Sequence, residues 1–225
     1  MNISLNFLFL LLILINSSSS EDYLKDQLRK EFDEECNALI QDNIERFLKK
    51  EISLKQALKD IQEFVKKGKE NQDQMYNEMN TVSNELKEVI NILEEDSEAD
   101  VSKEIKLIRK TVTKIENQYY LSRFRYHYAL MWVKQVHPFV GTNRDSMSDL
   151  FLVRIKLAAE MVRLDKEVHL AKHYAEQIEN NKTLEDIKEI YKLKGIKEYN
   201  FKTRIDETLT LIEGVINRIE EKESN

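Results

Sequence analysis

Apolar residues recur at alternating steps of three and four along most of the chain, which is the period of an α-helix. Leu24, Leu28, Phe32, Cys36, Leu39, Ile40, Ile44 and Phe47 mark a first long helix ending near Lys50. Ser53-Leu-Lys-Gln56 has the form of a capping box and opens a second helix. Leu54, Ala57, Leu58, Ile61, Phe64 and Val65 give its buried face, and Gly68 stands where a helix normally stops.

The next two segments are stricter. Met75, Met79, Val82, Leu86, Val89 and Leu93 step by four and three in strict alternation, and so do Val101, Ile105, Ile108, Val112, Ile115 and Tyr119. Both are heptad seams. Between them lies the acidic run Glu94 to Asp100, which disfavours the end of one helix and favours the start of the next. The pattern predicts a tight reversal near Ser97 and an antiparallel hairpin over about 70–136, with the two seams face to face.

His137 to Asn143, with one Pro and one Gly, breaks the second arm of that hairpin. Ser146 or Ser148 is expected to cap a new long helix with the stripe Leu150, Val153, Leu157, Met161, Leu164, Val168, Ala171, Ala175 and Ile178. After a loop at Asn180 to Lys182, Thr183 opens a short helix through Ile187, Ile190, Tyr191 and Leu193, closed by Gly195. A last helix carries Ile205, Leu209, Ile212, Ile216 and Ile219. Six or seven helices joined by short polar turns predict an all-α fold, an antiparallel helical bundle with long coiled-coil-like helices, in a single domain over 21–225. The spacing leaves an up-and-down bundle and an elongated rod both open.

Composition narrows the class further. Four glycines and one proline are far below ordinary usage of about 7% and 5%, so turns are few and elements long. Charged residues make up 34% and the formal net charge is -6, which disfavours a nucleic-acid partner, since phosphate neutralisation needs a clustered basic face. Leu5 to Ile15 is apolar apart from Asn6 and is followed by Ser17 to Ser20. That run is shorter than the roughly twenty residues a membrane span requires, and it reads as a signal peptide over 1–20, cleaved near Ser20-Glu21. No basic residue lies in Met1 to Phe7, and the competing reading is a short N-terminal anchor. The expected chain is secreted, with no transmembrane segment once processed. The single cysteine, Cys36, falls on the apolar stripe of the first helix. It reads first as a small buried hydrophobe, and otherwise as a thiol that pairs with another chain.

Few residues offer chemistry. His169 and His173 lie one helical turn apart, with Glu176 three residues beyond, and two imidazoles with a carboxylate can hold Zn²⁺. Leu170 stands where a zinc-protease helix needs its Glu, and a solvated helix shoulder accounts for the same residues. Tyr120, Phe124, Tyr128 and Trp132 recur every four residues, with Arg123 and Arg125 among them. A helix apolar nearly all round is a central core helix. Read functionally, the same rings line a lipid-sized pocket with Arg125 at its mouth to take a carboxylate. Asn181-Lys-Thr183 is a glycosylation sequon in a surface loop. No nucleophile elbow, Gly-rich phosphate loop or Glu-x-x-His pair occurs, and the reading is of a protein that is not an enzyme and needs no cofactor.

The stretch from about Leu58 to Val112 resembles the nematode SXP/RAL family of small secreted helical proteins. The likeness lies in Phe64-Val-Lys-Lys-Gly68-Lys leading into a polar helix, then Ser83 to Leu93, an acidic break, and Lys103-Glu-Ile-Lys-Leu-Ile108. The resemblance implies a secreted, antigenic protein with a proposed cation-binding domain and no settled activity, and it carries over no site residue.

Together these patterns lead to a secreted, non-catalytic helical interaction protein. The alternative is a carrier that binds a lipid or other apolar ligand in a pocket lined by the aromatic segment 119–139. The partner is thus an unknown protein or an apolar small molecule, and the chain a monomer or homodimer.

Overall fold

The computed structural model describes residues 21–141, 143–180, 185, 187, 188 and 204–224; within the first helix, side chains are described at Lys30, at Glu34 and from Asn37 onward. Among the described residues five long helices follow in chain order, α1 (Glu21–Leu48), α2 (Leu54–Glu95), α3 (Ser102–Val136), α4 (Arg144–Asn180) and α5 (Arg204–Ser224); the first three connections are short, the third with a 3-10 turn at His137–Phe139. Helix accounts for 92% of the structure and no described residue is in a strand, so the fold is an all-α helical bundle. The signal-like segment 1–20, the Cys36 side chain and Asn181 lie outside the described residues. Of the short helix expected from Thr183 to Leu193, only Glu185, Ile187 and Lys188 are described, as helix, with Ile187 buried.

The hairpin forms as the seams require. Asp96 ends α2, its N–H donating to the Ile92 carbonyl, and Ser102 starts α3 after a turn through Ser97. The two arms are antiparallel: Thr111 donates to Glu85 at one end, and Phe64 stacks on Tyr128 toward the other. α4 returns antiparallel to α3, with Tyr119 bonded to Asp165 and Lys172 paired with Glu116. α5 in turn runs antiparallel to α4, Lys156 pairing with Glu207 and Asp149 with Arg218. Its far face meets α2, where Glu220 takes Lys55 at 2.9 Å. α1 lies against α3 through its last turns, with Ile40, Ile44 and Phe47 buried.

Two expectations are corrected. Gly68 does not stop a helix: α2 runs through it without a break. Leu54, Leu58, Ile61, Val65, Gly68, Gln72 and Met75 step by four and three into the Met75–Leu93 seam, so one seam spans the whole of α2. The Tyr126 ring fills the space beside Gly68, and a continuous interface outweighs the roughly 1 kcal/mol that glycine costs inside a helix. Nor do Ser146 and Ser148 cap α4. The Asn143 side chain accepts from the Ser146 N–H at 3.1 Å, one residue before the first turn. Ser146 is buried, and its hydroxyl accepts from Arg218 Nε at 2.9 Å, tying α4 to α5. Ser53 caps α2, accepting from the Gln56 N–H, but the reciprocal half of the capping box is missing because Gln56 Nε2 donates to Asp60. Gly141 turns the chain into α4 at φ +74°, a conformation that favours glycine.

Candidate interaction surface and the buried polar network

The aromatic segment lies largely inside the bundle. Phe124, Tyr128 and Trp132 are buried, and Tyr120 is partly buried against the same core. Tyr128 stacks on Phe64 with ring centroids 3.8 Å apart, and Trp132 sits 6.1 Å from Phe47, which meets Phe139 edge-on. The Tyr128 hydroxyl accepts from Asn43 Nδ2 at 3.0 Å, joining α1 to α3, and burial pushes this phenol up to about 12. The buried Trp132 N–H faces the same phenol without closing a hydrogen bond of ordinary geometry. Arg125 is anchored: it donates to the Lys67 carbonyl at 2.8 Å and to Asn71 Oδ1, both on α2. Burial lowers its affinity for the proton.

His169, His173 and Glu176 lie on the exposed side of α4. Among the described residues no three metal-binding side chains gather at one point. Asp165, a turn before His169, is engaged with Tyr119 at 2.6 Å and Arg123 at 2.9 Å.

A polar cluster that the apolar pattern hides joins α2, α3 and α4. Tyr126 donates to Gln72 Oε1 at 2.6 Å, and Gln72 Nε2 donates to Glu160. Arg163 donates to the same Glu160 oxygen and, at 2.8 Å, to the Tyr76 hydroxyl, while Tyr76 donates to Glu167 at 2.7 Å. Glu160 is 1% exposed and Glu167 6%. Buried carboxylates persist only when paired and hydrogen-bonded, and here the Arg163 guanidinium, the Tyr76 phenol and the Gln72 amide supply those bonds, with Tyr126 holding Gln72 in place. Burial nonetheless raises Glu167 above the usual carboxylate range, against the pull of the Tyr76 hydrogen bond and the Arg163 charge. Burial also opposes the charge on Arg163, but Tyr76, Glu160 and Glu167 outweigh it and hold the guanidinium protonated. Moving α4 by one turn would take Glu160 from Gln72 and Glu167 from Tyr76, while Arg163 on the same helix would move with them, so the α2 donors fix the register of α4, and Tyr126 on Gln72 ties α3 to the same point. The sequence does carry a signal for it: Gln72 and Tyr126 occupy seam positions, and Glu160 and Glu167 stand seven residues apart on the inward face of α4.

The outer side of α4 is apolar as well. Phe151, Leu152, Ile155 and Val162 are exposed by 51%, 41%, 50% and 69%, with Met147 at 40% just before them. At about 100° per residue these side chains and Ala158 fill one arc roughly opposite the buried stripe Leu150, Val153, Leu157 and Leu164. Phe139, also half-exposed, precedes Met147 in the chain, and the His137 ring contacts the Met147 carbonyl at 3.0 Å. Isolated exposed apolar residues are ordinary on a protein surface, but here several large ones share one helix face. Its signal in the sequence is an excess: the stretch from Met147 to Val162 carries more apolar residues than one buried stripe can use.

Compared with protein-family models, curated proteins and solved structures, the chain matches none of them.

Proposed function

We propose that the protein is a secreted, non-catalytic helical interaction protein and that it binds through the outward face of α4. The observation that carries this reading is the run of large apolar side chains, Met147, Phe151, Leu152, Ile155 and Val162, held toward solvent on a helix whose opposite side is fully packed. A bundle with an adequate core has no folding use for a second apolar stripe, and leaving one in water favours association. The secreted location rests on the apolar run Leu5 to Ile15 and the serines after it.

The test compares what co-purifies, lipid and protein alike, with the wild-type protein and with a Phe151→Glu/Ile155→Glu variant recovered from the medium of secreting cells. Loss of a bound component in the variant supports the reading. Equal co-purification, or turnover of a small substrate that a point substitution abolishes, defeats it.

A second reading, a carrier for a lipid or other apolar ligand among the rings of α3, has one observation in its favour. The buried Trp132 N–H lacks a well-aligned acceptor, and a ligand oxygen would supply one. Trp132 is the only tryptophan, so its emission can be followed across a panel of fatty acids and retinoids. Unchanged emission throughout removes this reading.

A further inference from the structure

We infer that the outward face of α4 docks on an anionic lipid surface; this deepens the interaction reading above and rests on it. Three features of the face favour that occupant. The first is charge. Arg144 and Lys166 are exposed at the two ends of the apolar arc, and Arg154 is partly exposed along its edge. The acidic side chains of the same stretch are mostly buried or paired: Glu160 is buried, Asp149 binds Arg218, and Asp165, with its side chain 38% exposed, binds Tyr119 and Arg123. Asp145 is the exposed exception. A chain of net charge -6 thus presents a locally cationic apolar face, the pairing that holds interfacial helices on anionic headgroups.

The second feature is size. The arc is one helix wide and runs about four turns, from Met147 to Val162. Contact with a single partner helix would bury well under the about 800 Å² per side of a stable protein interface. A lipid surface imposes no such limit, because headgroups and acyl chains close around a ridge. The third feature sets aside a second copy of the same face, which would bring Arg144, Arg154 and Lys166 against their own like charges. α4 would therefore lie flat, its aromatic and aliphatic side chains sunk among the upper acyl chains and its cations at the level of the headgroups.

The experiment is co-flotation of the secreted form with vesicles of phosphatidylcholine alone and of phosphatidylcholine mixed with phosphatidylserine, at low and at physiological salt. Partition should favour the phosphatidylserine vesicles and weaken with salt. Arg154→Ala should lower it about five-fold, the share of one cation near the surface. Phe151→Glu/Ile155→Glu should lower it by more than about ten-fold with helicity and melting unchanged, since neither side chain is buried. Absence of binding, equal binding to both vesicle types, or binding that survives the double substitution overturns the inference. If vesicles are ignored while the double variant still loses a co-purifying protein, the lipid assignment falls and the interaction reading stands. If neither assay responds to the variant, both fall.

Discussion

A Cβ atom on Gly68 would lie 2.5 Å from Cε1 of Tyr126, closer than real side chains ever approach. The contact places a tyrosine ring of the α3 seam against the one residue of the α2 seam with no side chain. Beside it, the Ser122 hydroxyl donates to the Gly68 carbonyl at 2.9 Å. The ring cannot swing away, because Tyr126 is fully buried and its hydroxyl is bonded to Gln72.

Gly68→Ala should therefore destabilise the protein, against the usual rule for a glycine inside a helix. The propensity gain is about 1 kcal/mol, whereas overpacking a closed core costs about 1–3 kcal/mol. A net loss of up to about 2 kcal/mol is expected in urea unfolding. The loss should shrink in a Tyr126→Leu background, which frees the space. A stabilised Gly68→Ala protein would show that the two helices separate easily here.

Among the described residues Arg163 is the cation bonded to Glu160, and it also lies 3.9 Å from Glu167. Arg163→Met should cost about 2–3 kcal/mol, less than a fully buried pair would because the Arg163 side chain is 36% exposed. Replacing Arg163, Glu160 and Glu167 together by apolar residues of similar size should recover most of that loss. The recovery is read by thermal melting, and a triple variant no more stable than the single one would refute the desolvation argument.

Glu167 makes stability depend on pH in an unusual direction. Its raised pKa means that the folded state keeps the proton to a higher pH than the unfolded chain does. The stabilisation from this group is complete below the ordinary glutamate value of about 4.3 and is lost as pH rises through the raised value. Burial shifts Glu85 in the same direction. Glu167→Gln should thus flatten the decline in melting temperature above the ordinary glutamate range while leaving the acid side little changed. Parallel melting curves for wild type and variant across that range would contradict the assignment.

The two faces of α4 should respond oppositely to substitution. Leu157→Ala, at a fully buried position, should cost about 2–5 kcal/mol. Phe151→Glu should stay within about 0.5 kcal/mol of wild type, because Phe151 is half-exposed. Denaturant titration separates the two. A large loss from Phe151→Glu would mean that the residue is packed against the chain itself.

The all-α class was legible because each helix repeats its apolar positions at three and four, and that period follows from helix geometry alone. The α2–α3 hairpin was legible for the same reason, with an acidic break between two seams. The helix limits at Gly68 and Ser146 were not. Glycine and serine carry the same local preferences whether a helix ends, runs on or begins there. Only the Tyr126 ring against Gly68, and Arg218 on the Ser146 hydroxyl, decided between those outcomes. The polar cluster was hidden for a related reason: Gln72, Glu160 and Glu167 occupy inward positions that the period assigns to apolar residues, and their partners come from other helices. On α4 the period by itself determined one apolar stripe. The stripe that the period picks out, Leu150, Val153, Leu157 and Leu164, is the buried one. That the apolar residues left over, Phe151, Leu152, Ile155 and Val162, stay in solvent was settled by tertiary structure, because α3 and α5 can cover only one side of a helix.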